Sequence, residues 1–279
     1  MDTYEIRKYQ SAQMELLEQT DRVCREQGIR YYLIGGTLLG AVRHGGFIPW
    51  DADIDIAMPR ADYERFRLYW AAQNSDRYFF QHHTTEPNHL APHAILRIKG
   101  THVVMKKRIS EKYPLACDGI YLDIFPLDEP PVNPGAQKRQ MRSILRVRRL
   151  IELKAGYLYD STGKVKKLLK KAVQLCILPL PVLNNMLDRR MRRHSGSNSG
   201  FLVSMASHYS YRKQLMQADI YGEPSYVNFE GALYPAPAKT HEYLTQIYGD
   251  YMQLPPEDKR YSDLDTIARI DYGTKDNAQ

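Results

Sequence analysis

Long apolar runs are missing from this 279-residue chain. The longest candidate, Ala172 to Leu183, is shorter than the roughly 20 residues that a membrane-spanning helix needs, and Pro179 and Pro181 interrupt it. The start, Met1-Asp2-Thr3-Tyr4-Glu5, has no basic stretch followed by apolar residues, so no secretory leader is expected. Cysteine is scarce. Cys24, Cys117 and Cys176 share neither metal-binding nor redox spacing and read as buried thiols in a reducing cytosol, not as a disulfide framework. No internal repeat, zinc-finger spacing or other nucleic-acid motif is present, so nucleic acid ranks last among partners.

What is present is ordinary for a soluble globular protein: 43% apolar and 25% charged residues, enough chain for one large domain or one domain with an insertion. The formal charge of +7 is unevenly spread. Between Lys138 and His194 stand 16 Lys and Arg against Glu152, Asp160 and Asp188, so the rest of the chain is net acidic. We therefore expect a catalytic domain over residues 1–130 and 200–279 and a basic helical insertion over 131–199. Within it, Lys170-Lys171 and Arg189-Arg190-Met191-Arg192-Arg193 flank the apolar Val173 to Leu183. That pattern suits the interface of an anionic membrane, and hence a peripheral protein on the cytoplasmic face. The rival is a helical subdomain with a solvated basic face.

Periodicity predicts an α+β fold. Residues 4–27 carry Ile6, Tyr9, Leu16, Thr20 and Val23 at helical spacing, with Gly28 as the stop. Ile29 to Ile34 reads as a strand running into Gly35-Gly36, with Thr37 as the N-cap of the next helix. Asp53 to Met58 alternates as a strand, and Pro59 opens a helix carrying Tyr63, Phe66 and Tyr69. Ile95 to Met105, broken at Lys99-Gly100, reads as a hairpin; Ile120 to Phe125 is an apolar strand with one acid inside it. Pro126 to Pro134, with four prolines, reads as a linker.

The chemistry concentrates at Gly35-Gly36-Thr37 and Asp53-Ile54-Asp55-Ile56. Strand alternation puts Asp53 and Asp55 on one face, where two carboxylates repel unless a cation lies between them. Hard oxygen ligands suit Mg²⁺ or Mn²⁺, which in turn hold phosphates. Gly35 and Gly36 allow a phosphate close to the backbone, and the following helix offers free N–H groups. The parts together suit phosphoryl transfer. Asp-x-Asp alone is a weak signal, and its bland alternative is a solvated strand edge. Asp123 stands within an apolar strand as a third ligand or general base, the alternative being a hydrogen-bonded buried acid.

The run Gly36-Thr37-Leu38-Leu39-Gly40-Ala41-Val42-Arg43-His44-Gly45-Gly46-Phe47-Ile48-Pro49-Trp50-Asp51, continuing through Asp53-Ile54-Asp55, resembles the LicD family. Asp123-Ile124-Phe125-Pro126-Leu127-Asp128 is similar to its second block. Phe229-Glu230-Gly231, Tyr248-Gly249-Asp250-Tyr251 and Leu254-Pro255-Pro256 are similar to its C-terminal block. The resemblance implies a nucleotidyltransferase-type mixed sheet flanked by helices. It also implies transfer of a phospho-alcohol from a CDP-alcohol, commonly CDP-choline, to a hydroxyl of a cell-surface glycan or its lipid-linked precursor. On that basis Asp53 and Asp55 match the metal pair, Asp123 the third acid, and Gly35, Gly36 and Thr37 the phosphate loop. Chemistry alone makes Arg43 or His44 candidates for the leaving nucleotide's phosphate, against a helix-face ion pair and a structural hydrogen bond. Arg97 and Lys99 share one face of the expected hairpin and could line the phosphate site or simply be solvated. Trp50 and Asp51 are candidates for the shell behind the metals. The family usually places an acid at residue 52, where this chain has Ala52. The rival activities are ribitol phosphate or other phospho-alcohol transfer, nucleotidyl transfer that releases pyrophosphate, and non-catalytic binding by the same fold.

Overall fold

The first helix follows from its apolar spacing. In the computed structural model, which describes residues 3–106, 114–155, 176–257, 260 and 266–273, α1 runs over Thr3–Gln27. Tyr9, Leu16, Thr20 and Val23 form its buried stripe. Gly28 ends it at φ 60°, a left-handed conformation that favours glycine.

After β1 (Tyr32–Leu33) come α2 (Gly35–His44), β2 (Asp55–Pro59), α3 (Arg60–Ala72) and β3 (Tyr78–Gln81). Then follow β4 (Ala94–Ile98), β5 (His102–Met105) and β6 (Tyr121–Leu127). Five of these strands make one sheet in the order β1-β2-β6-β4-β3. Only β2 and β6 run parallel in it; the other pairs are antiparallel. The mixed sheet with surrounding helices is the expected class. One face is dry: Ile56, Met58, Leu96, Leu122 and Ile124 are fully buried. On that side α3 sets Phe66 against Phe80 and Trp70 against Tyr78. The other face carries Asp55 and Asp123.

Several expectations change in detail. Strand β2 begins at Asp55, so Asp53 and Ile54 precede it, and Pro59 ends β2 while α3 opens at Arg60. The expected burial of the thiols holds for Cys24 and not for Cys176, which is exposed. The strand expected over 29–34 shrinks to two residues, because only Tyr32 and Leu33 find partners, in Ala57 and Ile56. Helix α2 begins at Gly35, so Thr37 lies inside its first turn and is not the N-cap, which is Ile34. The hairpin over 95–105 does not form. Gly100 turns the chain at φ 76°, but β4 pairs with β3 and β6 while β5 pairs with a C-terminal strand. The segment before β6 separates them: Ile98 N–H donates to the Ile120 carbonyl and Val103 N–H to that of Asp118. The proline-rich linker is likewise shorter than 126–134. Pro126 sits in β6, paired with Met58, and Pro134 is the first residue of α4 (Pro134–Ala155).

The basic segment contains α4 and α5 (Leu180–Met191), packed on each other through Gln140, whose Nε2 donates to the carbonyls of Arg190 and Met191. The Lys164–Lys171 run and the first residues of the apolar patch, 173–175, lie outside the described residues. Among the described residues no helix is long and apolar enough to cross a membrane. Buried ion pairs tie α5 to the sheet domain. Arg60 at the start of α3 grips both oxygens of Asp128 at 2.6 and 2.7 Å and reaches Asp188 of α5 at 3.0 Å. The chain then forms β7 (Phe201–Val203), α6 (Tyr211–Gln214), β8 (Leu215–Gln217) and α7 (Ala218–Tyr221). It ends with the hairpin β9 (Ser225–Phe229) and β10 (Ala232–Ala236), α8 (Thr240–Tyr248), and β11 (Ile267–Asp271) beside β5.

Candidate active site

Asp55 opens β2 level with Asp123 of β6, and the Asp123 N–H donates to the Ile54 carbonyl at 2.9 Å. Level residues on adjacent strands project from the same face. Asp53 lies two residues before β2, close enough to feel the charges of Asp55, Asp51 and Asp123, while Ile54 and Ile56 are fully buried. Burial, reinforced by the negative charges of Asp55 and Asp51, a hydrogen bond with Asp51 and the charge of Asp123, holds the Asp53 carboxyl well above its ordinary range. Four acids therefore meet at one end of the sheet: the three expected ones and Asp51.

This donor set fits a hard divalent cation. Oδ1 of Asp123 is buried without a hydrogen-bond partner; His93 Nε2 lies 3.2 Å away, outside hydrogen-bonding geometry. A cation would satisfy that oxygen and offset the repulsion among the carboxylates. The fit is one of donor chemistry: among the described residues no group of three or more Asp, Glu, His or Cys side chains stands close enough to hold a metal ion as it is. Open sites of this kind suit Mg²⁺, which keeps waters and takes phosphate oxygens alongside one or two carboxylates.

The glycines are dictated by these carboxylates. A Cβ on Gly36 would lie 2.6 Å from Asp51 Oδ2, and one on Gly35 3.0 Å from Asp55 Oδ2. Thr37 is the clasp between α2 and the acidic strand: its Oγ1 accepts the Asp55 N–H at 2.8 Å and lies 3.4 Å from the Asp53 carbonyl. Gly46 has a parallel reason, while Gly45 ends α2 in a left-handed turn at φ 72°. The tip of the β9–β10 hairpin, Glu230-Gly231, turns at positive φ and seats the Glu230 carboxylate on the Phe47 N–H at 3.0 Å. A Cβ on Gly46 would collide with that carboxylate. The C-terminal block thus buttresses the loop that leads to the acids.

The remaining candidates separate. Arg43 donates to the Tyr251 carbonyl at 3.0 Å, and burial lowers its pKa. His44 stands edge-on to Trp50, and burial followed by the charge of Arg43 lowers its pKa, favouring a neutral ring at neutral pH. Arg260 caps the Trp50 ring 5.0 Å from its centre. Arg97 shares the acidic face, but its guanidinium serves Gln81 and the Gly119 carbonyl. Lys99 is not brought to the acids: its Nζ donates to the Ser75 carbonyl at 2.6 Å.

Several residues here escaped the sequence reading. His93 stacks on Phe125, 4.3 Å between ring centres, and faces Asp123. Gln10 of α1 donates to the Asp51 carbonyl at 2.9 Å. Tyr243 accepts the Gly35 N–H through its hydroxyl at 3.2 Å. Tyr209 and Tyr248, edge to face, feel the charge of Asp55, with burial the first cause of their raised pKa values. Gln10 and Tyr243 lie on periodic helices, where they read as face and core. Only Tyr248 stands within a recognisable motif.

Residues 28–128 match the family model described as LicD/FKTN/FKRP, nucleotidyltransferase domain. They are a LicD-family domain. Every acid and glycine of the site lies within that span except the buttressing hairpin. Beyond it, 257 residues are 29% identical to the lipopolysaccharide cholinephosphotransferase LicD of Haemophilus influenzae, covering 91% of this chain and 93% of that one. Human ribitol 5-phosphate transferase FKRP is 44% identical over 59 residues, 20% of this chain and 12% of that protein. The mouse FKRP match is 56% identical over 36 residues, 7% of that protein. The named relatives are thus phospho-alcohol transferases, one similar along nearly its whole length and the others over a short stretch.

Proposed function

We propose that this protein transfers phosphocholine from CDP-choline to a hydroxyl of a glycan or a lipid-linked glycan precursor, releasing CMP. The observation that carries the reading is the level pair Asp55–Asp123 with Asp53 beside it and an unsatisfied Asp123 oxygen. The near full-length similarity to a cholinephosphotransferase supports the choice of alcohol.

Asp53, Asp55 and Asp123 would hold Mg²⁺ or Mn²⁺. When bound, the metal neutralises charge on the phosphate oxygens as the acceptor oxygen–phosphorus bond forms and the phosphorus–oxygen bond to CMP breaks. Around it, Thr37 fixes the Asp53–Asp55 backbone to α2. Asp51 and Gln10 brace the approach to the strand, and Gly35 and Gly36 let the Asp55 and Asp51 carboxylates lie against the start of α2. The acceptor's proton passes to a carboxylate of the cluster, and Asp123 with His93 behind it is the best placed. The tyrosines Tyr209 and Tyr248 stand near the acids, where aromatic faces suit a quaternary ammonium. The surplus of Lys and Arg over residues 138–194 supports work at an anionic membrane surface.

The test is a donor and product screen with magnesium. CDP-choline should yield CMP, faster than CDP-ribitol or CDP-glycerol, and CTP should yield no pyrophosphate. Pyrophosphate from CTP would identify a nucleotidyltransferase. CMP from CDP-ribitol alone would keep the reaction and change the alcohol.

A further inference from the structure

Helices α4 and α5 enclose a cleft at the C-terminal end of α5, with a volume of about 370 Å³. Arg139, Gln140 and Ser143 of α4 form one wall; Arg190, Arg193 and His194 form the other. None of these is acidic, and none belongs to the site around Asp53.

Three guanidinium groups around one cleft repel one another unless an anion lies among them. The one acid of α5, Asp188, is already taken by Arg192 at 3.1 Å and by Arg60 at 3.0 Å, so it does not serve the cleft. Among the described residues, Arg139, Arg190 and Arg193 form no ion pair within 4 Å. The cleft is also held open in a fixed shape. Arg190 donates through Nε to Ser143 Oγ at 2.7 Å and through an NH group to the Met186 carbonyl at 3.0 Å. Gln140 pins the last turn of α5 to α4 through the Arg190 and Met191 carbonyls. A cation so braced is preorganised, and arginine's planar fork matches phosphate oxygens in pairs.

We propose that this cleft binds a phosphomonoester or diphosphate group through Arg139, Arg190 and Arg193. Such a group occurs on soluble metabolites and on lipid headgroups; the cleft chemistry is common to both. The proposal does not depend on the transfer reaction, since it shares no residue with the acidic site.

The experiment uses the full chain and two probes: inorganic pyrophosphate in calorimetry without magnesium, and flotation with phosphatidylcholine vesicles containing or lacking phosphatidic acid. The first variant combines Arg139→Gln with Arg193→Gln; both side chains are exposed, so the melting temperature should be kept. The second combines Arg142→Gln with Arg146→Gln, removing the same charge from α4 outside the cleft. We expect the cleft variant to bind at least one probe about tenfold more weakly, with the control pair near wild type. Loss confined to pyrophosphate identifies a soluble ligand, and loss on vesicles a lipid headgroup. No binding of either probe by the wild type would overturn the proposal. So would full binding by the cleft variant, or equal loss in both pairs.

Discussion

Ala52 lies three residues before β2 begins and is 3% exposed, so its side chain is packed in the core. A carboxylate there would be buried beside Asp51 and Asp53, with like charge on both sides. Ala52→Asp is therefore expected to lower stability by about 1–3 kcal/mol and to leave the magnesium dependence of turnover little changed. Paired denaturation curves and magnesium titrations check this. A gain in activity of two orders of magnitude would mean that residue 52 reaches the metal site. At this scale the sequence was legible for the acids but not for the strand's start: alternation expected Asp53 inside the strand, and β2 begins at Asp55. It was less legible for Thr37, whose role depends on where α2 begins, a matter of the Gly35 backbone. Lys99 was misplaced because its direction depended on a hairpin that does not form.

Elements explain the rest. Both acidic strands were visible in the sequence, but their parallel pairing was not, because nothing local encodes which strands become neighbours. The pairing has an unexpected anchor in Asp128. The residue sits just past β6 inside a motif block, fully buried against Arg60, and through Arg60 it joins α3, β6 and α5. Asp128→Asn leaves the Arg60 charge poorly compensated, so a loss of about 3–5 kcal/mol is expected in urea denaturation. A loss under about 1 kcal/mol would show that Asp188 and Glu64 suffice as partners. The segment after β3 supplies a pH effect. Burial, aided by nearby positive groups, pushes His82 down to about 2 and His89 down to about 3. Below the unfolded value near 6.5 the unfolded chain binds more protons at these rings than the folded one, so stability falls with pH. Asp53, raised in the fold, acts in the opposite direction. In an Asp53→Asn background, lowering the pH from 7.5 to 5.5 should therefore cost about 2–3 kcal/mol. Constant stability across that window would contradict neutral buried rings.

For the molecule as a whole, charge and chemistry are segregated. The acids gather at one end of the mixed sheet, while α4 and α5 gather arginine. Charge counting along the sequence was enough to see this division, because it needs no knowledge of contacts. The aromatic and hairpin surroundings of the acids were not visible, since Tyr209, Tyr243 and Glu230 reach the site from some 150 to 200 positions away in the chain. The central claim is that these acids bind a divalent cation to drive phospho-alcohol transfer. It is tested most directly by CMP release from CDP-choline, with a glycan acceptor and titrated magnesium, in the wild type and in Asp53→Ala and Asp55→Ala. The expected result is magnesium-dependent release that chelation abolishes and either substitution lowers by about two orders of magnitude or more, with the fold retained. Near-wild-type release by either variant at saturating magnesium would contradict the account.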